Sequence, residues 1–181
     1  MTKKYYNLNE LFEMIEEPNR SSCKKIYSDN KEIFESAKGS RLKHQAWKGG
    51  YLGHIVDIMN IAIQLYDNLN SCRKLNFSLS DSLLVLFLHD LEKPWKYAGN
   101  EKQKEELNSF PNYLDFIISK IEEYDFQFTT ELWNGLKYVH GEGNDYNPNV
   151  NIQGPLAAFV HICDTISARI WFNFPNNSNF W

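Results

Sequence analysis

His89 and Asp90 stand side by side after the apolar run Leu83 to Leu88, with His54 upstream and Asp164 far downstream. The His-Asp dipeptide alone carries little weight, because average composition places one in roughly one chain in several of this size. Its setting carries more. A His near the start of one helical stretch, a His-Asp pair at the end of the next and an Asp within a late one let imidazoles and carboxylates from three helices surround a single cation, as bundles commonly do. No thiolate is needed for such a shell. The plainer alternative is that the histidines are buried with satisfied hydrogen bonds while Asp164 caps a helix or pairs with Arg169. Charged groups are seldom buried unpaired, which tips the balance toward a metal.

The elements that must position these residues are helical. Leu11, Phe12 and Ile15 recur at helical spacing between Asn9 and Glu17, and Pro18 with Asn19 closes that segment. Ile26, Ile33 and Phe34 mark a second stretch with a break near Ser28 to Asn30, ending at Gly39 and Ser40. A polar loop then runs to Gly49-Gly50. Tyr51 to Leu69 is dense enough in Leu, Ile, Val and Met to predict a central helix buried on most of its circumference. Ser80 and Asp81 suit the cap of a helix reaching His89-Asp90, and Pro94 limits its continuation. Glu101 to Glu123 reads as helix broken before Pro111, and Thr130 as the cap of a short helix ending at His140. Pro155 suits the first turn of a last helix reaching about Phe172. Sustained period-two alternation and internal repeats are absent, so the expectation is an all-α fold, a single compact helical bundle over residues 1–181 with an aromatic and Asn-rich tail at 172–181.

Composition bounds the partners. A hydrophobic share of 43% supplies a sizeable core, so a stable globule is expected. A formal net charge of −4 disfavours a long basic track for duplex DNA or an anionic membrane. Cys23, Cys72 and Cys163 form no CxxC pair and no even framework, which fits a reducing compartment. With no apolar signal core at Met-Thr-Lys-Lys-Tyr-Tyr, the expected location is cytoplasmic. Homo-oligomerisation stays open, symmetric assemblies being common.

Three ordered motifs carry a family resemblance. Gly49-Gly50-Tyr51-Leu52-Gly53-His54 resembles the Gly-Gly-Leu-Leu-Glu-His lead-in of exonuclease-like HD-domain proteins, which also have a His upstream, here His44. Leu88-His89-Asp90-Leu91-Glu92-Lys93 resembles their Leu-His-Asp-Ile-Gly-Lys segment. His161-Ile162-Cys163-Asp164, followed by Ser167-Ala168, is similar to their His-x-x-Asp. Over residues 44–171 the chain thus resembles the HD-domain metal-dependent phosphohydrolase superfamily. That resemblance implies His54, His89, Asp90 and Asp164 as metal ligands, one ion being favoured over two, and a mixed shell that suits Mn, Mg, Fe, Co, Ni or Zn without choosing among them. Such a cation lowers the pKa of a bound water toward neutrality and polarises a phosphoryl oxygen, so the implied reaction is hydrolysis of a phosphate ester of a small nucleotide.

Lys93 holds the position of the Lys in the family's His-Asp-x-x-Lys form and is the expected phosphate contact, with a solvated lysine at a helix end as the alternative. Some nucleotidases of the superfamily carry a catalytic Glu there, which leaves the general acid open beyond Asp90 and Lys93. His140 and His161 stand where binuclear branches add ligands, and are expected more as substrate contacts. His44, Trp47 and Lys48, and Trp95, Lys96 and Tyr97, form two aromatic and basic clusters able to stack a base and hold phosphates, or simply to pack at loop ends. Glu142 and Asp145 read as a solvated loop, and Trp171, Phe172, Phe174, Phe180 and Trp181 as core or subunit contacts. Two other functions compete: a 3′-5′ exonuclease on short single strands, and a non-catalytic nucleotide-binding or sensor module that keeps the metal fold.

Overall fold

The computed structural model describes residues 4–174, and among them regular structure is entirely helical. Helix α1 (Leu8–Phe12) starts at a capping box in which Asn7 and Glu10 satisfy each other's backbone N–H groups. It stops well short of the Glu17 that its apolar spacing suggested. The N–H groups of Met14 and Ile15 bond three residues back, to Leu11 and Phe12, and this tighter turn still delivers Ile15 to the core. Helices α2 (Asn19–Asp29) and α3 (Lys31–Ser36) meet at Asn30, as the expected break required; Asn30 Nδ2 donates to the Ile26 carbonyl and the Tyr124 hydroxyl.

Helix α4 (Gly50–Cys72) is the axis of the site. Its first three turns are buried on nearly every side, whereas from Gln64 onward it emerges into solvent, so the expected burial holds only for the N-terminal half. Asn60 clamps the N-terminal segment onto it, donating to the Tyr6 carbonyl (2.9 Å) and accepting from the Tyr6 N–H (2.7 Å). Helix α5 (Leu79–Leu88) is capped by Ser78, not by Ser80 or Asp81: Asp81 is the third residue of that capping box, and Ser80 Oγ accepts from the Glu16 N–H. Ser82 to Leu88 are all buried, so the helix is enclosed by its neighbours.

Pro94 does not end the helical run. It falls in the first turn of α6 (Glu92–Ala98), where a missing N–H breaks no helical bond. Helices α7 (Glu101–Asn108) and α8 (Tyr113–Glu123) flank the expected break, and α9 (Thr130–Tyr138) is capped one residue early, by Thr129. Helix α10 (Pro155–Thr165) has proline at its first position and widens into a π turn, Ile166–Ile170, where a plain helix was expected.

Helix α10 packs on α9, α4 and α5, while α4 also packs on α5 and α3. Outside this group α3 rests on α6, and α6 on α7 and α8. Phe34 joins the two halves, lying within ring contact of Tyr51, Phe87 and Trp95. Trp95 is buried there, with Nε1–H donating to Glu106, so it is core and not a base-stacking platform. No described helix is long and apolar enough to cross a membrane.

Candidate metal and phosphate site

Three elements bring the expected residues together. His54 lies in the second turn of α4, His89 caps the C-terminus of α5 with Asp90 following, and Asp164 lies in the last turn of α10. His54 Nε2 lies 3.1 Å from Asp164 Oδ1 and 3.8 Å from Asp90 Oδ2; His89 Nε2 lies 3.0 Å from Asp90 Oδ2 and 3.8 Å from Asp164 Oδ1. Each imidazole is fixed from behind. His89 Nδ1–H donates to the Leu86 carbonyl at 2.7 Å, and His54 Nδ1 meets Ser167 Oγ at 3.2 Å. The Nε2 atoms of both are buried without a hydrogen-bond partner. Two bare imidazole nitrogens facing two carboxylates is an arrangement that buried polar groups rarely keep unless something else satisfies them.

Electrostatics follow from that crowding. Burial drives His54 down to about 4, against the pull of Asp164. Burial acts the same way on His89, but Asp90 and Asp164 together outweigh it and raise it to about 10. Asp90 and Asp164 are both held well below the usual carboxylate range: burial opposes this, and the surrounding histidines, with Lys93 for Asp90, overcome it.

Above this floor opens a cavity of about 270 Å³ lined by Asp90, Asp164, His140, His161, His44, Lys93, Lys43, Thr165, Ala168 and Arg169. Lys93 forms an ion pair with Asp90, and His140 Nε2 stands 3.8 Å from Asp90 Oδ1 and 4.0 Å from Asp164 Oδ2. Two overlapping groups able to hold a metal result: His54, His89 and Asp164, and His89, Asp90 and His140. His161 is set apart from both, its Nδ1–H donating 2.7 Å to the Val139 carbonyl on the cavity wall.

Lys48 is exposed and takes no part in the cavity wall, where Lys43 appears instead. Arg169 is also on the wall and makes no ion pair with Asp164. Glu92 is buried behind the floor, and burial, then Asp90, lift it to about 7. Asp145 pairs with Lys137 and Tyr138, away from the site. Trp171 is half exposed, while Phe180 and Trp181 lie outside the described residues.

Asp57 and Gln45 escaped the sequence reading, and Ser167 entered it only as part of the family motif with no role, although Asp57 follows His54, and Ser167 follows Asp164, by three residues on a shared helical face. Asp57 is 2% exposed and burial raises it to about 6, against a hydrogen bond from Ser167. The sign is that of a raised carboxyl: the folded state keeps its proton where the unfolded chain, near 3.8, has lost it, so stability falls as pH rises from about 4 to about 6. Asp57→Asn is expected to remove that fall and to stabilise the protein at pH 8 by about 2 kcal/mol, read from urea unfolding at both pH values. Parallel pH dependence in variant and parent would show that Asp57 does not titrate between fold and unfolded chain.

No family model and no solved structure matches the chain. Over 136 residues, 75% of its length, the chain is 24% identical to a curated protein of Methanocaldococcus jannaschii named dihydroneopterin 2′,3′-cyclic phosphate phosphodiesterase. The match covers 53% of that protein, so the chain is aligned to about half of a distant relative whose name is that of a phosphodiesterase.

Proposed function

We propose that this chain is a metal-dependent phosphohydrolase of the HD-domain type, a single unit with its motif core at residues 44–171, acting on a small phosphate ester of nucleotide-like size. The observation that carries the reading is the pair of buried, unpartnered Nε2 atoms of His54 and His89 facing Asp90 and Asp164 at the bottom of an otherwise basic cavity. The donor set fits a divalent cation of the first transition row or magnesium. A cation bound there supplies Lewis acidity and a water of lowered pKa.

The protein's own groups do the rest. Lys93, Lys43 and Arg169 place positive charge and donors on the cavity wall, where they hold a phosphoryl group and oppose the negative charge that grows on its oxygens. His161 and His44 line the same wall and are placed to give or accept a proton at a leaving or attacking oxygen. A volume of about 270 Å³ suits a small ligand.

The relative's name favours a cyclic phosphodiester as the first substrate to try. Purified protein, stripped with a chelator and reloaded with Mn, Mg, Co, Ni, Fe or Zn, is to be assayed on 2′,3′-cyclic nucleotides, 3′,5′-cyclic nucleotides and nucleoside mono- and triphosphates. Ring opening of a 2′,3′-cyclic phosphate to a monoester, dependent on the added ion, is the expected result. Absence of turnover on every substrate with every ion would remove the hydrolase reading.

A further inference from the structure

Gln45 is fully buried and polar, and its backbone sits at φ +40°, in the left-handed region. A non-glycine residue is held there only where its surroundings over-determine it. They do so here. The Gln45 N–H donates to the Phe172 carbonyl at 2.8 Å, and the Gln45 carbonyl accepts from the Gly39 N–H at 2.9 Å.

The side chain then settles where the proton sits on His44 and touches the group behind His54. Gln45 Nε2 lies 3.2 Å from Ser167 Oγ and 3.4 Å from the Trp171 carbonyl, while Oε1 lies 2.8 Å from His44 Nδ1. A carbonyl only accepts, so Trp171 fixes which end of the amide is nitrogen. With Oε1 turned to His44, His44 Nδ1 must donate, and its Nε2 is left with a free lone pair. Ser167 Oγ accepts from Gln45 Nε2 and lies 3.2 Å from His54 Nδ1, so it has a second lone pair to offer that nitrogen as a donor. A cation on His54 Nε2, which faces Asp164 and Asp90, requires the proton on Nδ1, and Ser167 is placed to receive it.

We propose that Gln45 is the positioning residue of this site, holding His44 in the Nδ1–H form so that its Nε2 is an acceptor on the cavity wall and, through Ser167, supporting the Nδ1–H form of His54 in which Nε2 is a cation ligand. The second half rests on the metal reading above; the first does not. Gly39 leaves the space it needs: a Cβ there would come within 2.9 Å of Gln45 Cβ.

The test uses the full chain with 15N-labelled histidine, in metal-free form at pH 8, where ring-nitrogen shifts report each tautomer, alongside Co(II) titration followed by its visible absorption. In the parent, His44 is expected to carry the proton on Nδ1. Gln45→Met, similar in length but unable to hydrogen-bond, is expected to shift His44 toward the Nε2–H form that free histidine prefers, and to weaken Co(II) binding about tenfold. Gln45→Glu keeps the acceptor for His44 but cannot donate to Ser167, so it should preserve the His44 tautomer and still weaken Co(II). Nε2–H on His44 in the parent, or unchanged tautomers and Co(II) affinity in a folded Gln45→Met, would overturn the proposal. If Gln45→Met fails to fold, the parent tautomers and the Glu variant decide. Should the parent bind no Co(II) while the tautomers behave as stated, the metal reading fails and the control of His44 by Gln45 stands.

Discussion

Asp90→Asn is expected to abolish stoichiometric divalent uptake and to lower turnover at least about a thousandfold, equivalent to about 4 kcal/mol of transition-state stabilisation. The carboxylate is the most connected group of the site, touching His89 at 3.0 Å, His54 and His140 at 3.8 Å, and Lys93 through an ion pair. Asn keeps the volume but removes the charge that draws Lys93 and His89 inward. The amide also presents a donor face toward the imidazoles. Because burial and the two carboxylates together set His89 near 10, with the carboxylates prevailing, loss of one lets burial lower it, and the metal-free variant should hold the His89 proton less tightly. Elemental analysis after reloading, turnover on the best substrate and the thermal melt of the metal-free variant are to be measured together. A folded Asp90→Asn that retains both the ion and the activity would place the chemistry elsewhere.

Gly50→Ala is expected to cost the fold about 3 kcal/mol and to lower Tm by roughly 6–12 °C for a chain of this size. A Cβ at Gly50 would lie 1.9 Å from the Gln45 carbonyl oxygen and 2.8 Å from its carbonyl carbon. Neither is the tip of a flexible side chain. Gln45 is pinned on both backbone sides by Phe172 and Gly39, so relief must come from moving the start of α4 itself, which carries His54 one turn further on. Gly143→Ala is the control: φ is +54°, yet nothing lies within 4 Å, so only the backbone cost of about 1 kcal/mol applies. A Gly50→Ala melt no lower than that of Gly143→Ala would show that the turn gives way cheaply.

The sequence by itself determined the helical class and several boundaries, because apolar spacing, Pro155 at a helix start and the break ahead of Pro111 are local signals. It was less reliable where a cap could sit on either of two adjacent residues, as at Ser78 and Thr129, and at Pro94, since proline opens helices as readily as it closes them. It also set out His54, His89, Asp90 and Asp164 as one group by residue type and order. Only the tertiary structure decided that both histidine Nε2 atoms lie within 3.8 Å of both carboxylates, that Lys43 and not Lys48 lines the cavity, and that Trp95 is core. Gln45 and Asp57 were invisible for the same reason. Their roles come from Ser167, more than a hundred residues away in sequence, and a contact across that separation leaves no trace in local periodicity because it exists only once α4 and the π turn after α10 are packed together.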